Sequence, residues 1–202
     1  MQPQTMLAPN IAEKYASALR ERAVDEVPTL VAQSSAAHSG LETAQPVALY
    51  SSNVDALLKD PTLAEEVFGP TTLLISYDHR EKMLAAAESL EGHLTATIHG
   101  TEEDLEANRD LIAILESKVG RLLFNGFPTG VEVCHAMVHG GPYPATSDGR
   151  STSVGTQAIF RFVRPFCYQD FPDSALPAEL RNENPLKITR MVNGALTKDS
   201  IA

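Results

Sequence analysis

From residue 71 onward the chain alternates strand and helix patterns, and that alternation restricts the fold more than any other feature of the sequence. Residues 71–77 (Thr-Thr-Leu-Leu-Ile-Ser-Tyr) read as a strand. Asp78 is placed to cap a helix over 79–90, and residues 94–99 give a second strand. Thr101 opens a T-x-x-D capping box for a helix over 102–118, with Leu105, Leu111, Ile112, Ile114 and Leu115 on its core face. Gly120 is expected to end that helix, and residues 121–124 form a third strand. Antiparallel strands can be joined by short hairpins, whereas parallel strands need a crossover about the size of a helix. The pattern therefore predicts an α/β fold. Its three strands are expected to be neighbours in one parallel βαβ sheet covered by helices, since right-handed crossovers leave few alternatives.

The flanking segments are less regular. Ile11, Tyr15, Leu19 and Val24 recur at helical spacing among Glu13, Lys14, Arg20 and Glu21, so a helical pattern is expected over 11–33. Residues 33–40 are small and polar and read as a loop; residues 47–50 suggest a short strand. Asn53 carries an N-cap signature for a short helix through Leu58. Beyond Asn125, glycines at 126, 130, 140, 141, 149 and 155 and prolines at 128, 142 and 144 interrupt any period. A loop of that length inside a compact domain is usually functional. A short helix over 157–164 and a strand over 165–168 are expected next. A poorly ordered or surface-wrapping tail should follow, which divides the chain into residues 1–172 and 173–202.

The charge balance removes several partner classes. The formal net charge is −10, and no segment concentrates Lys or Arg, so the electrostatic footprint expected for nucleic acid or an anionic membrane surface is absent. No apolar run approaches the ~18 residues that cross a bilayer. Cys134 and Cys167 are too few for a disulfide framework. A soluble cytoplasmic protein is the expectation.

The chemistry-bearing segment is Glu65-Glu66-Val67-Phe68-Gly69-Pro70, at the entrance to the first parallel strand. An ionised carboxylate is acceptor-only, and its two oxygens can take both hydroxyls of a vicinal diol such as a ribose. Phe68 offers a flat apolar face to a ring, Gly69 allows a bend without a Cβ, and Pro70 fixes φ at the strand's start. The competing reading is a solvated helix end followed by a turn.

This hexapeptide resembles the E-x-F-G-P motif of the aldehyde dehydrogenase superfamily. The likeness continues through Gly120-Arg121-Leu122-Leu123-Phe124-Asn125-Gly126 and the Gly140-Gly141 loop, and spans residues 60–170 as the C-terminal half of the catalytic domain. The run Asn125–Pro142, with Ala145-Thr146-Ser147 and Ser153-Val154-Gly155-Thr156, is similar to the subgroup that oxidises α-ketoglutaric semialdehyde (2,5-dioxovalerate). Thr5–Pro9 and Cys167–Asp170 suit the same subgroup. The resemblance implies that Glu66 binds the nicotinamide ribose of NAD or NADP and that Phe68 packs beside it. Asn125, Phe127 and the segment carrying Cys134, His135 and His139 would line the aldehyde tunnel. A homo-oligomer joined through the closing strand is also implied. One departure stands out, since His139 precedes the paired glycines where the family usually has Phe.

The same resemblance exposes what is missing. The family's nucleophilic cysteine sits in a G-Q-x-C motif and its general base in E-L-G-G. Neither motif is present, and no two glycines stand in G-x-G spacing. The expectation is a carboxy-terminal fragment of an NAD(P)-dependent semialdehyde dehydrogenase, inactive alone. The alternative is a non-catalytic module that only folds and associates. Cys134 as a substitute nucleophile, or as a metal ligand with His135 and His139, lacks the neighbours that either chemistry needs.

Overall fold

The computed structural model describes residues 3–22, 27–35 and 43–201. They form two compact units that divide between Arg161 and Phe162. In the first, β1 (Gln4–Thr5) pairs antiparallel with β3 (Ala44–Gln45), and α1 (Pro9–Arg22) lies between them in the chain. Ala12, Tyr15 and Leu19 fall on one face of α1 and are buried. They pack with Met6, Ala48 and Tyr50, and Ile11, Val67 and Leu73 close over this core. The expected 11–33 helix stops at Arg22, and β2 (Thr29–Gln33) follows. Pro28 explains the change, because its ring disfavours helical backbone at the residue before it and the β-branched, apolar run behind it suits a strand. Val24, and residues 36–40 of the expected loop, lie outside the described residues.

β4 (Ala48–Asn53) pairs antiparallel with β2 and parallel with β5 (Thr71–Ser76), giving the order β2-β4-β5. Asn53 caps α2 (Val54–Lys59) as its sequence signature predicts, its Oδ1 accepting from Ala56 N at 2.9 Å. After β5 comes α3 (Arg80–Ser89), whose N-cap is His79 rather than Asp78. The Asp78 carboxylate instead meets Lys82 at 3.1 Å, and that contact holds its pKa below the usual carboxylate value. β6 (His93–Ile98) and β7 (Val119–Phe124) pair in parallel. The single helix predicted between them is two, α4 (Glu102–Ala107) and α5 (Arg109–Lys118), broken at Asn108. The capping box at Thr101 and Asp104 is present in both directions.

Parallel βαβ units thus form as expected, but not as one continuous ladder. β5 is hydrogen-bonded to β4 and β6 to β7, and β5 and β6 are not joined. Helix packing holds the two pairs together. α3 contacts both α2 and α5. Lys82 reaches Asp55 at the start of α2 at 2.8 Å. Arg80 pairs with Asp110 at the start of α5, and Lys118 at the end of α5 donates to Glu88 O at 2.7 Å. Gly120 does not end a helix; it lies inside β7, where a Cβ would run into the Gly140 carbonyl.

The second unit contains a hairpin of β8 (Arg190–Val192) and β9 (Ala195–Thr197) where a poorly ordered or surface-wrapping tail was expected. Asn193 and Gly194 turn it with φ of 51° and 84°, the pair of positive values that a two-residue hairpin turn requires. Asn184 is buried beside it and donates to the Ile188 and Lys198 carbonyls at 2.9 and 2.8 Å. Residues 165–168 form no ladder with other described residues, and the expected 157–164 helix is a short 3-10 turn, Thr156–Arg161.

Candidate functional site

The loop from Glu65 to Pro70 is pinned at both ends and open in the middle. Arg22 Nη2 donates to Glu65 O at 3.3 Å, Ala48 N donates to Pro70 O at 3.1 Å, and Thr71 Oγ1 donates to Ala48 O at 3.1 Å. Beneath the loop stands Tyr15, whose ring occupies the place a Cβ on Gly69 would take. Tyr15 is 1% exposed, and its hydroxyl donates to Pro46 O at 2.8 Å. Burial, then the neighbouring Tyr50, pushes its pKa up to about 12, with the hydrogen bond to Thr71 acting in the opposite direction. Gly69 is therefore small because the Tyr15 ring lies against it.

Pinned this way, the loop turns Glu66 and Phe68 outward. Phe68 is 64% exposed, and Glu66 is exposed as well. Both border a groove of about 650 Å³ whose wall includes Arg22, Leu57, Leu73, Ile75 and Leu90. On the other side they border a second groove, of about 410 Å³, lined by Ile11, Lys14 and Tyr15. Among the described residues no donor occupies the Glu66 carboxylate. A carboxylate with no described donor, beside an exposed aromatic ring at the rim of a largely apolar groove, fits a ligand with a diol and a planar ring.

The other residues singled out from sequence lie elsewhere. Asn125 adopts φ 49° at the end of β7. Its side chain pairs with Gly100 in both directions, donating through Nδ2 to Gly100 O at 2.8 Å and accepting from Gly100 N through Oδ1 at 2.9 Å. Its amide thus ties the exit of β7 to the exit of β6. Phe127 is 77% exposed and meets the His99 ring at a centroid distance of 5.3 Å. Cys134 is exposed, with its thiol free and its carbonyl accepting from Met137 N at 3.3 Å. His135 Nδ1 bonds to Thr156 Oγ1. His139 sits by a separate cavity of about 130 Å³, where its backbone N–H donates to Thr152 Oγ1 at 2.7 Å and its carbonyl accepts from Ser153. Among the described residues no three His, Cys, Asp or Glu side chains are arranged to hold a metal ion.

Sequence reasoning passed over the residues that hold these groups in place. Buried Thr152 accepts the His139 backbone N–H, and Arg121 Nη1 donates to Gly130 O at 3.1 Å, steadying the loop that carries Cys134. Thr152 lies in a polar run and Arg121 in a strand, and only tertiary contact distinguishes them. No helix among the described residues is long and apolar enough to cross a membrane.

No family model matches the chain. It is 52% identical over 159 residues to the α-ketoglutaric semialdehyde dehydrogenase of Acinetobacter baylyi, a match covering 79% of this chain and 30% of that protein. The α-ketoglutaric semialdehyde dehydrogenase 2 of Azospirillum brasilense is 52% identical over 147 residues, covering 73% and 28% respectively. The chain thus spans less than a third of the length of the curated relatives it matches. Solved structures with a similar fold include aldehyde dehydrogenase C of Pseudomonas syringae in complex with NAD+ and octanal. That structure has a TM-score of 0.58 at 21% identity, over 77% of this chain and 29% of the other. Apo betaine aldehyde dehydrogenase of Staphylococcus aureus matches with a TM-score of 0.60 at 14% identity, over 78% and 29%.

Proposed function

This chain is a relative of the aldehyde dehydrogenases, and on that premise we propose that it supplies the nicotinamide-ribose site of an NAD(P)-dependent enzyme that oxidises α-ketoglutaric semialdehyde to the carboxylate. In this reading it is the C-terminal part of that enzyme's catalytic domain. The observation that carries the proposal is the Glu66-Phe68 pair, held outward at a groove with no donor on its carboxylate among the described residues, in a chain 52% identical over 159 and 147 residues to two such dehydrogenases. The cofactor, when bound, accepts a hydride from the substrate. The task of Glu66 is to accept hydrogen bonds from both ribose hydroxyls. Phe68 shields the adjoining ring, and Tyr15 beneath Gly69 keeps both from drifting. Orientation of this kind supplies much of the barrier reduction in hydride transfer.

The aldehyde side is assigned to Asn125, Phe127, Cys134, His135 and His139. Within it Asn125 sets the course of the loop through its pairing with Gly100, and Phe127 presents an apolar face. Among the described residues neither cysteine has the paired base that an activated thiolate needs: Cys134 is exposed with no side-chain partner, and Cys167 makes only a weak contact with the Tyr168 carbonyl. The chain alone should therefore not turn over. The test is NAD(P)H formation from α-ketoglutaric semialdehyde by the purified chain, alone and co-expressed with the Acinetobacter baylyi relative deleted of its matched segment. Turnover only in the combination is expected. Turnover by the chain alone that a Cys134→Ser substitution abolishes would overturn the proposal.

A further inference from the structure

Segments 134–139 and 151–156 are laced together, and the lacing builds a small polar cavity. Ser153 N and Ser153 Oγ both donate to His139 O at 3.0 Å, and His139 N donates to Thr152 Oγ1 at 2.7 Å. Thr152 is buried, and its hydroxyl donates in turn to Val154 O at 2.9 Å. Further along, the His135 ring bonds to Thr156 Oγ1. Gly155 lies so close to the Cys134 and Met137 carbonyls that a Cβ would stand 2.7 and 2.9 Å from them. Thr156 opens the 3-10 turn that ends at Arg161. The turn is thereby fixed against the loop, and Arg161 comes to border the same cavity as His139.

The lining of this cavity is chemically specific. Its volume is about 130 Å³, room for about four molecules the size of water at ~30 Å³ each. A nucleotide does not fit, but a head group of a few heavy atoms does. Among the described residues Arg161 is the one Lys or Arg on its wall. Asp148 also borders it, but that carboxylate is held by its own loop, accepting from Arg150 N at 3.1 Å and from the Ser151 hydroxyl, with Arg150 Nε at 3.7 Å. Among the described residues the Arg161 guanidinium and the His139 ring have no hydrogen-bond or ion-pair partner. A guanidinium presents a planar fork that matches a carboxylate in two parallel bonds. A neutral imidazole carries one N–H donor. Together they complement a carboxylate with an oxo oxygen on the neighbouring carbon.

Resting on the function proposed above, we propose that this cavity is the subsite for the α-oxo-carboxylate end of the semialdehyde, with Arg161 pairing with the carboxylate and His139 donating to the oxo oxygen. In a chain of net charge −10 an anionic substrate needs a local cation, and Arg161 is that cation. The two residues then set specificity. Pentanal, an unbranched aldehyde of the same length, lacks both acceptors and leaves both donors unpaired. A site built to hydrogen-bond its substrate rejects such an analogue far more strongly than an apolar tunnel does.

Binding and turnover test this separately. Binding is followed on the full chain alone, through the NMR signals of the His139 ring during titration with 2-oxopentanoate, which has the oxo-carboxylate head and no aldehyde. Saturable shifts are expected. Kd should rise about tenfold or more in Arg161→Gln, the size of one lost hydrogen bond to a charged group, and recover in part in Arg161→Lys. Turnover is measured on the chain co-expressed with the Acinetobacter baylyi relative deleted of its matched segment. The kcat/KM preference for α-ketoglutaric semialdehyde over pentanal should fall about tenfold or more in Arg161→Gln and in His139→Phe. Equal losses on both aldehydes would mark a structural role and overturn the proposal. So would 2-oxopentanoate that leaves the His139 ring unmoved or binds Arg161→Gln as well as the parent. Binding without turnover by the wild-type pair would keep the subsite and overturn the proposed function. Turnover with an unchanged preference in both variants would keep the function and overturn the subsite.

Discussion

Tyr15 links the hydrophobic core to the candidate cofactor loop through a single side chain. Its ring fills the space beside Gly69 that a Cβ would take and its hydroxyl is anchored on Pro46, so Gly69→Ala must displace either a buried ring or the loop. Overpacking of this kind costs about 1–3 kcal/mol, and urea unfolding should show the midpoint falling accordingly. An unchanged midpoint would mean that the loop yields freely. The raised Tyr15 pKa carries its own consequence. A tyrosine ionises more readily in the unfolded chain, from its ordinary value of 10.0, than in the fold, where it does so at about 12. Its contribution to stability is thus complete below pH 10 and is lost as pH rises toward 12. Stability measured across that window should decline less steeply in Tyr15→Phe than in the parent. The residue types at this site were legible in the sequence, because a carboxylate, a ring and a glycine in one hexapeptide already suggest a diol-bearing ligand. The reason for the glycine was not, since Tyr15 lies more than fifty residues away and only folding brings its ring to that point.

Elements were readable wherever a local rule decides them. Asn53 and Thr101 cap the helices that their spacing predicts, because a cap is satisfied within three residues. Asp104 completes the box at Thr101, and the Thr101 backbone N–H, followed by its hydroxyl, lowers the Asp104 pKa. Helix stability from this contact is present above the ordinary carboxylate pKa and fades as pH falls through the depressed one. In Asp104→Asn the acid-side decline in the protection of α4 amides should flatten. Elements failed to be readable where distant backbone decides. Gly120 resembles a helix stop in sequence, yet it is a strand residue pressed against Gly140. Gly120→Val should therefore destabilise the first unit by about 1–3 kcal/mol and raise amide exchange in residues 138–141. An effect confined to the end of α5 would instead restore the helix-stop reading. The Asn193-Gly194 turn is a local signal that the charged, proline-rich composition around it hides. Composition spoke for disorder, while two residues with positive φ built a hairpin.

For the molecule as a whole, the sequence carried the α/β class and the parallel pairing but not the break between β5 and β6. Hydrophobic alternation says that a strand is half-buried or buried and gives no account of which strand lies beside it. The same limit applies to the candidate site. The chain presents the loop proposed to bind a ribose and the loop proposed to face the aldehyde, while the G-Q-x-C and E-L-G-G motifs are missing from its sequence. Its activity is accordingly expected to belong to an assembly. The most direct measurement is the rate of NAD(P)H formation from α-ketoglutaric semialdehyde by the co-expressed pair, with wild-type chain and with Glu66→Gln. An amide keeps only one good acceptor oxygen for two ribose hydroxyls, so kcat should fall about tenfold or more while KM for the aldehyde changes little. A deuterated aldehyde should also reveal a larger isotope effect as hydride transfer becomes limiting. An unchanged kcat and isotope effect in the Glu66→Gln pair would contradict the account and leave Glu66 as a surface carboxylate.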